Sequence, residues 1–243
     1  MLRTKVILLI FVYFIIGAIL IVIINKAKKD IVANKERWIK YAVYLIIVGS
    51  IVFTIMYTLY FQWITAGILI IAFGELIVVW KRFESRKLNT LLIGLGVLCI
   101  FSVGFFNFGD SERRLSDLKI YVLVFVFDGF SQLAGQLLGK HTFAGRISPN
   151  KTIEGLIGGY ILTVITGFYL MDNYSILFVL TFSTIVCASA LLGDLLASYY
   201  KRLHHAKDFG RSLPGHGGFL DRFDSFIAAG AIYWFVSKST AYF

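Results

Sequence analysis

Three aspartates and a run of cations near the C-terminus carry the chemistry legible in this chain. Asp194 is followed by Ser198, Lys201 and Arg202 at four, seven and eight residues, which sets all four on one face of a helix. Asp221 and Asp224 lie three apart at the start of a further apolar run, where the positive end of a helix dipole favours negative charge. Asp194 instead sits near a helix C-terminus, where a carboxylate is disfavoured unless a positive partner is close. If the two helix ends meet from opposite directions, Asp194, Asp221 and Asp224 present three carboxylates at one depth. Oxygen donors of this kind suit Mg²⁺, which takes one or two carboxylates and keeps positions for substrate phosphates.

Between the two helices lies Pro214-Gly215-His216-Gly217-Gly218, a glycine cluster whose backbone can approach closely and turn its amides toward a phosphate. Lys201, Arg202, Lys207 and Arg222 surround it with charge that phosphates need for binding and for neutralisation as a bond breaks. A solvated basic loop ending in a turn would account for the cations alone. Cations, glycines and carboxylates together point to a phosphate site. A second loop reads Gly139-Lys140, then Ser148-Pro149-Asn150-Lys151-Thr152-Ile153-Glu154-Gly155. Ser148 followed by Pro149 predicts a helix N-cap and first turn. That places Ser148, Lys151 and Thr152 where a lipid head group or a nucleotide phosphate could be met. The Gly135–Gly139 and Gly155–Gly159 spacings read as helix-packing contacts. Glu75 and Asp128 also fall inside apolar runs, where a carboxylate persists as a polar contact or at a functional site.

The elements that must position these residues are membrane helices. The chain has 243 residues, 58% hydrophobic and 16% charged, with a mean hydropathy of +0.79. Soluble domains hold about 25% charged residues, so this composition excludes a soluble domain, a disordered chain and a nucleic-acid-binding module, despite a net charge of +10. Cys99 and Cys187 lie in apolar stretches and offer neither a disulfide framework nor a zinc spacing. Runs long enough for roughly 30 Å of hydrocarbon occur near 5–25, 39–60, 62–80, 88–108, 119–139, 155–171, 174–197 and 222–240. The expectation is an all-α polytopic membrane protein of about eight transmembrane helices. The first run is too long for a signal-peptide core and reads as a retained helix. Of the 24 Lys and Arg, 18 fall in the loops after spans one, three, five and seven. By the positive-inside rule those loops are cytoplasmic and both termini lie outside. All four histidines and both prolines share those loops. Residues 1–115 form the N-terminal helices, and 116–243 a catalytic region containing the 198–224 loop.

These residues are similar to a known pattern. Ser198-x-x-Lys201-Arg202-x₄-Lys207-Asp208-x-Gly210-x₃-Pro214-Gly215-His216-Gly217-Gly218-x₂-Asp221-Arg222-x-Asp224 resembles the signature of the phosphatidate cytidylyltransferases, or CDP-diacylglycerol synthases, over 27 residues. Ser148-Pro149-x-Lys151-Thr152-x-Glu154-Gly155 resembles that family's second stretch, and Gly193-Asp194 the pair that precedes its signature. Two departures stand out: Ala197 replaces the usual Glu before the signature Ser, and Phe127-Asp128-Gly129-Phe130-Ser131-Gln132 departs from an acidic-then-aromatic pattern.

The resemblance implies that CTP and phosphatidate are converted to CDP-diacylglycerol and pyrophosphate, with Mg²⁺ required, in the inner (plasma) membrane. It further implies metal ligation by Asp194 and Asp221 with Asp224 close by, phosphate contacts from the signature cations, and a homodimer. Rival expectations are a CTP-dependent transferase or kinase acting on another lipid, such as an isoprenoid phosphate, and an ion-coupled secondary transporter. The transporter would need two related halves, and the chain shows no internal repeat.

Overall fold

Apolar runs with almost no proline fold here as eight helices, and the computed structural model describes residues 2–28, 31–57, 60–82, 87–110, 114–210, 212–213 and 217–239. In order they are α1 (Leu2–Lys28), α2 (Ile31–Tyr57), α3 (Phe61–Lys81), α4 (Leu88–Phe108), α5 (Arg114–Leu138), α6 (Ile153–Leu170), α7 (Ile176–Leu203) and α8 (Leu220–Ser239). Pro214, Gly215 and His216 of the expected glycine cradle lie outside the described residues, as do Lys29, Arg86, Arg113 and Arg211. Among the described residues there is no strand, only the isolated bridges Thr142–Thr152 and Leu213–Gly217.

Among the described residues, seven helices, α1 to α7, are long and apolar enough to cross a membrane. The expected eighth span forms as α8, but Asp221, Arg222, Asp224 and Lys238 leave it outside that count. It is nonetheless buried along Phe223–Ala231. Two helices outrun their expected spans: α2 begins at Ile31, well before residue 39, and α7 runs on past residue 197 to Leu203 and so carries Ser198, Lys201 and Arg202 on its last turns.

Two helices form the centre. α5 is buried on every side from Ile120 to Phe127, which is what an apolar run without a polar face requires. α1, α2 and α6 pack around α5, α3 and α4 around α8, and α7 lies between the central pair and α6. Phe226 of α8 meets Phe105, Phe108 and Tyr121 edge-on at 4.8–5.7 Å between ring centroids. Small residues bring backbones together as in other membrane bundles. A Cβ on Gly155 of α6 would lie 2.6 Å from the Ser131 carbonyl oxygen of α5, and one on Gly159 would lie 2.8 Å from that of Phe127. The packing role read from those glycine spacings is therefore what the structure shows.

The two ends of the bundle are chemically distinct. At one end, Lys5 near the start of α1 pairs with Asp172 in the α6–α7 connection at 2.8 Å, which holds the Asp172 carboxyl below its ordinary range. At the other, Arg202 Nε donates to the Ile147 carbonyl at 3.1 Å, joining the α5–α6 and α7–α8 connections. The loops after α5 and α7 thus share one end, as their basic content predicted.

Gly155→Ala tests the α5–α6 contact. Helix propensity alone would favour Ala by about 1 kcal/mol, but a methyl forced against a backbone oxygen costs about 1–3 kcal/mol. The expected result is a lower thermal midpoint in detergent. A rise would mean that the helices are free to separate.

Candidate active site at the α7–α8 turn

α7 ends in a turn of the Schellman type. His205 adopts a left-handed φ of 45°, its amide bonds the Arg202 carbonyl at 3.1 Å, and Ala206 bonds the Lys201 carbonyl at 2.9 Å. The chain then folds back so that Phe209 stacks near Tyr200, with centroids 6.1 Å apart. His204, buried and packed on Tyr200 at 4.6 Å, is held below its ordinary pKa by burial and then by His205. These histidines build the turn.

Asp221 is the hub of the returning loop. Its Oδ1 accepts from Lys201 Nζ at 2.5 Å, and its Oδ2 from the amides of Phe209 at 2.9 Å and Gly218 at 2.8 Å. The side chains of Lys201 and Asp221 are 9% and 3% exposed, so this is a buried pair in a closed network. Lys201 also lies over the Phe209 ring at 5.3 Å. Gly217 adopts φ +81°, and a Cβ there would come within 2.9 Å of Asp221 Oδ2 and of Asp208 Cβ, so the loop needs glycine at this point.

Of the expected glycine cradle the structure describes Gly217 and Gly218, and the Gly218 amide is taken by Asp221. The described amides converge on carboxylates: those of Phe209 and Gly218 on Asp221, and those of Phe219 and Leu220 on Glu75 of α3, at 2.8 and 2.7 Å. The physical reason is position. A helix start sunk among apolar helices must satisfy its amides locally, and carboxylates do so with the right charge.

Asp194 has a different environment. Its Oδ2 pairs with Lys151 and its Oδ1 accepts from Ser198 Oγ at 3.3 Å. It remains half-buried, within electrostatic range of Asp224 on α8 and Asp128 on α5. Asp224 is buried, and its Oδ1 accepts the Ser225 amide at 2.8 Å. Asp128 is hydrogen-bonded to the Ser225 side chain and senses Lys151 and Arg222. Gly193 permits the approach, since a Cβ there would lie 2.5 Å from the Asp224 carbonyl oxygen. Three carboxylates from three helices thus lie within electrostatic range of one another, with lysine and arginine as counter-charges.

The second loop arrives as expected, with one correction. The N-cap of α6 is Thr152, which accepts the Gly155 amide at 3.1 Å, and Ser148 instead accepts the Lys151 amide at 3.2 Å within a turn. The Thr142–Thr152 bridge keeps the chain extended up to residue 152, delaying the helix. Glu154 of the first turn bonds His141 Nδ1 at 2.6 Å and closes the same loop. Arg202 is committed to the carbonyls of Ile147 and Ala206. Lys207 and Arg222 are exposed, and Ala197 packs against the core. Glu75 and Asp128 were visible as carboxylates inside apolar helices, but no spacing tied them to the signature.

The donor set fits a hard divalent ion. Among the described residues, no three His, Cys, Asp or Glu side chains are grouped closely enough to hold one alone. Mg²⁺ commonly needs only one or two carboxylates beside substrate phosphates. Asp194 and Asp224, within electrostatic range of each other, are the residues that could supply that pair.

Helices of this length and apolarity, with carboxylates, lysines and arginines gathered at one end, define an integral membrane protein. The model of the cytidylyltransferase family matches residues 1–240. A Rickettsia bellii protein named phosphatidate cytidylyltransferase is 30% identical over 230 residues, covering 88% of this chain and 98% of that protein. Proteins of the same name from Staphylococcus haemolyticus and Staphylococcus aureus are 40% identical over 140 residues, 53% of this chain and 54% of theirs. Against those staphylococcal relatives the chain spans about half their length. The chain belongs to the cytidylyltransferase family.

The two aspartate environments predict different losses. Asp221→Asn leaves the Lys201 ammonium buried and uncompensated, costing about 3–5 kcal/mol, read as a large fall in thermal midpoint. Pairing it with Lys201→Met should restore much of that stability. Asp194→Asn, half-exposed and outside that network, should change the midpoint little. Equal destabilisation by both single variants would contradict the distinction.

Proposed function

We propose that the protein transfers CMP from CTP to phosphatidate, releasing pyrophosphate and forming CDP-diacylglycerol. The observation that carries this reading is the meeting of the two loops. Lys151 of the 148–155 stretch pairs with Asp194 of α7, and Arg202 of the signature bonds Ile147 beside that stretch. Two segments distant in sequence thereby make one acidic and basic site. The curated relatives bear the name of this activity.

The chemistry follows from the substrates. A phosphate monoester has its second pKa near 6, so the phosphatidate oxygen is already a nucleophile at neutral pH and requires no strong general base. It attacks the α-phosphorus of CTP. The new P–O bond forms as the bond to the bridging oxygen of the β-phosphate breaks, and that oxygen leaves with pyrophosphate. The protein's task is positioning and charge neutralisation. Lys151, Lys207 and Arg222 carry the phosphate contacts, whereas Lys201 is held by Asp221 and keeps the loop in place. Ser198 orients Asp194. Mg²⁺, held by Asp194 and Asp224, would neutralise phosphate charge when bound, with Asp221 supporting the loop beside it.

Location obeys the same logic. Acyl chains stay in the bilayer and CTP stays in water, so the site belongs at an interface. The positive-inside rule, applied to the basic loops, supports an interface on the cytoplasmic side of the plasma membrane with both termini outside. The homodimer implied by the family resemblance is part of this reading.

Purified protein given CTP, phosphatidate and Mg²⁺ should release pyrophosphate, and ATP in place of CTP should not support the reaction. Asp194→Asn should lower kcat/KM by about a hundredfold or more, on the order of 3 kcal/mol of transition-state stabilisation. Near-normal turnover would refute the assignment of Asp194. Preference for an isoprenoid phosphate over phosphatidate, in competition with labelled CTP, would redirect the substrate assignment.

A further inference from the structure

Glu75 belongs to the part of the chain with no signature residue, yet it is 9% exposed and embedded in the signature segment. Its Oε1 accepts from Ser212 Oγ at 2.7 Å and from the Phe219 amide at 2.8 Å, and its Oε2 accepts from the Leu220 amide at 2.7 Å. The last two are amides at the start of α8, which have no acceptor within the helix. The loop is shaped around this carboxylate. A Cβ on Gly210 would lie 2.9 Å from Oε1, and one on Gly218 would lie 2.7 Å from Oε2. The next residue adds a second tie, because the Leu76 carbonyl accepts from Tyr200 OH at 3.3 Å. One turn of α3 therefore holds the C-terminal part of α7, both described flanks of the glycine loop and the start of α8.

We propose that Glu75 is a positioning residue for the nucleotide side of the site. By fixing the start of α8 it fixes Asp221, Arg222 and Asp224, and by gripping Ser212 and crowding Gly210 and Gly218 it sets the loop that presents Lys207. We assign the phosphatidate head group to Lys151 and the 148–155 stretch, which take part in none of these bonds. This proposal rests on the CTP-transfer reading.

The test joins hydrogen–deuterium exchange of the 209–224 segment with kinetics in which CTP and phosphatidate are varied separately. Glu75→Gln keeps the length and one acceptor oxygen but puts an NH₂ where an amide must donate, while Glu75→Ala removes every acceptor. Exchange at Phe219 and Leu220 should rise about tenfold in the Gln variant and further in the Ala variant. KM for CTP should rise roughly tenfold, with KM for phosphatidate within about twofold of wild type. Ser212→Ala removes one bond and spares the helix cap. It should shift exchange and KM for CTP in the same direction by a smaller factor, and it decides the question if the Glu75 variants do not fold. Unchanged exchange, or equal rises in both KM values, would overturn the proposal. Wild-type protein that makes no CDP-lipid would sink the transfer reading alone, and the exchange data would still show whether Glu75 holds the loop.

Discussion

A backbone that leaves helical geometry among membrane helices must find an acceptor for every amide it exposes, because hydrocarbon supplies none. The α7–α8 connection meets this demand with carboxylates. Asp221 accepts the amides of Phe209 and Gly218, and Glu75 accepts those of Phe219 and Leu220. Each brings a negative charge that itself needs compensation in a low dielectric. For Asp221 it comes from Lys201, and for Glu75 from the positive end of α8 and the Ser212 hydroxyl. The glycines then follow as a consequence, since side chains at Gly210, Gly217 and Gly218 would occupy the space of these carboxylates.

This constraint divides the cations by role. Lys201 is 9% exposed at its side chain and is bound at 2.5 Å to Asp221, so moving it would strand a buried charge. Arg202 has two of its donors on backbone carbonyls and acts as a strut between loops. Lys151 is more open at 21% side-chain exposure, and Lys207 and Arg222 face solvent. The cations that hold the scaffold are buried at Lys201 and half-buried at Arg202, while Lys207 and Arg222 remain reachable.

The spans, the alignment of Ser198 with Asp194 and the placing of the loops after α5 and α7 at one end were legible in the sequence because they depend on local period and charge. Three features were not. Ser148-Pro149 carries a helix-start signal, but the Thr142–Thr152 bridge holds the strand-like segment open and hands the cap to Thr152. Asp221 and Asp224 share spacing and type, yet a lysine twenty residues earlier claims one of them. Glu75 lies 137 to 145 residues from its partners, a separation that no periodicity reports. Local rules place side chains on faces. Which face meets which is decided by packing.

That distance bears on why the N-terminal helices belong to the machinery. α3 and α4 flank α8, and α4 approaches it so closely at Gly104 that a Cβ would lie 2.8 Å from the Ala231 backbone. α8 carries three charges in its first turns and is the least suited of the eight to lie in hydrocarbon alone. Its small, buried face of Ala228, Ala229, Gly230 and Ala231 finds a partner in α4, and its polar start finds Glu75 in α3. A helix with three charges in its first turns is thus kept in the bundle by the apolar neighbours α3 and α4 and by one carboxylate between them.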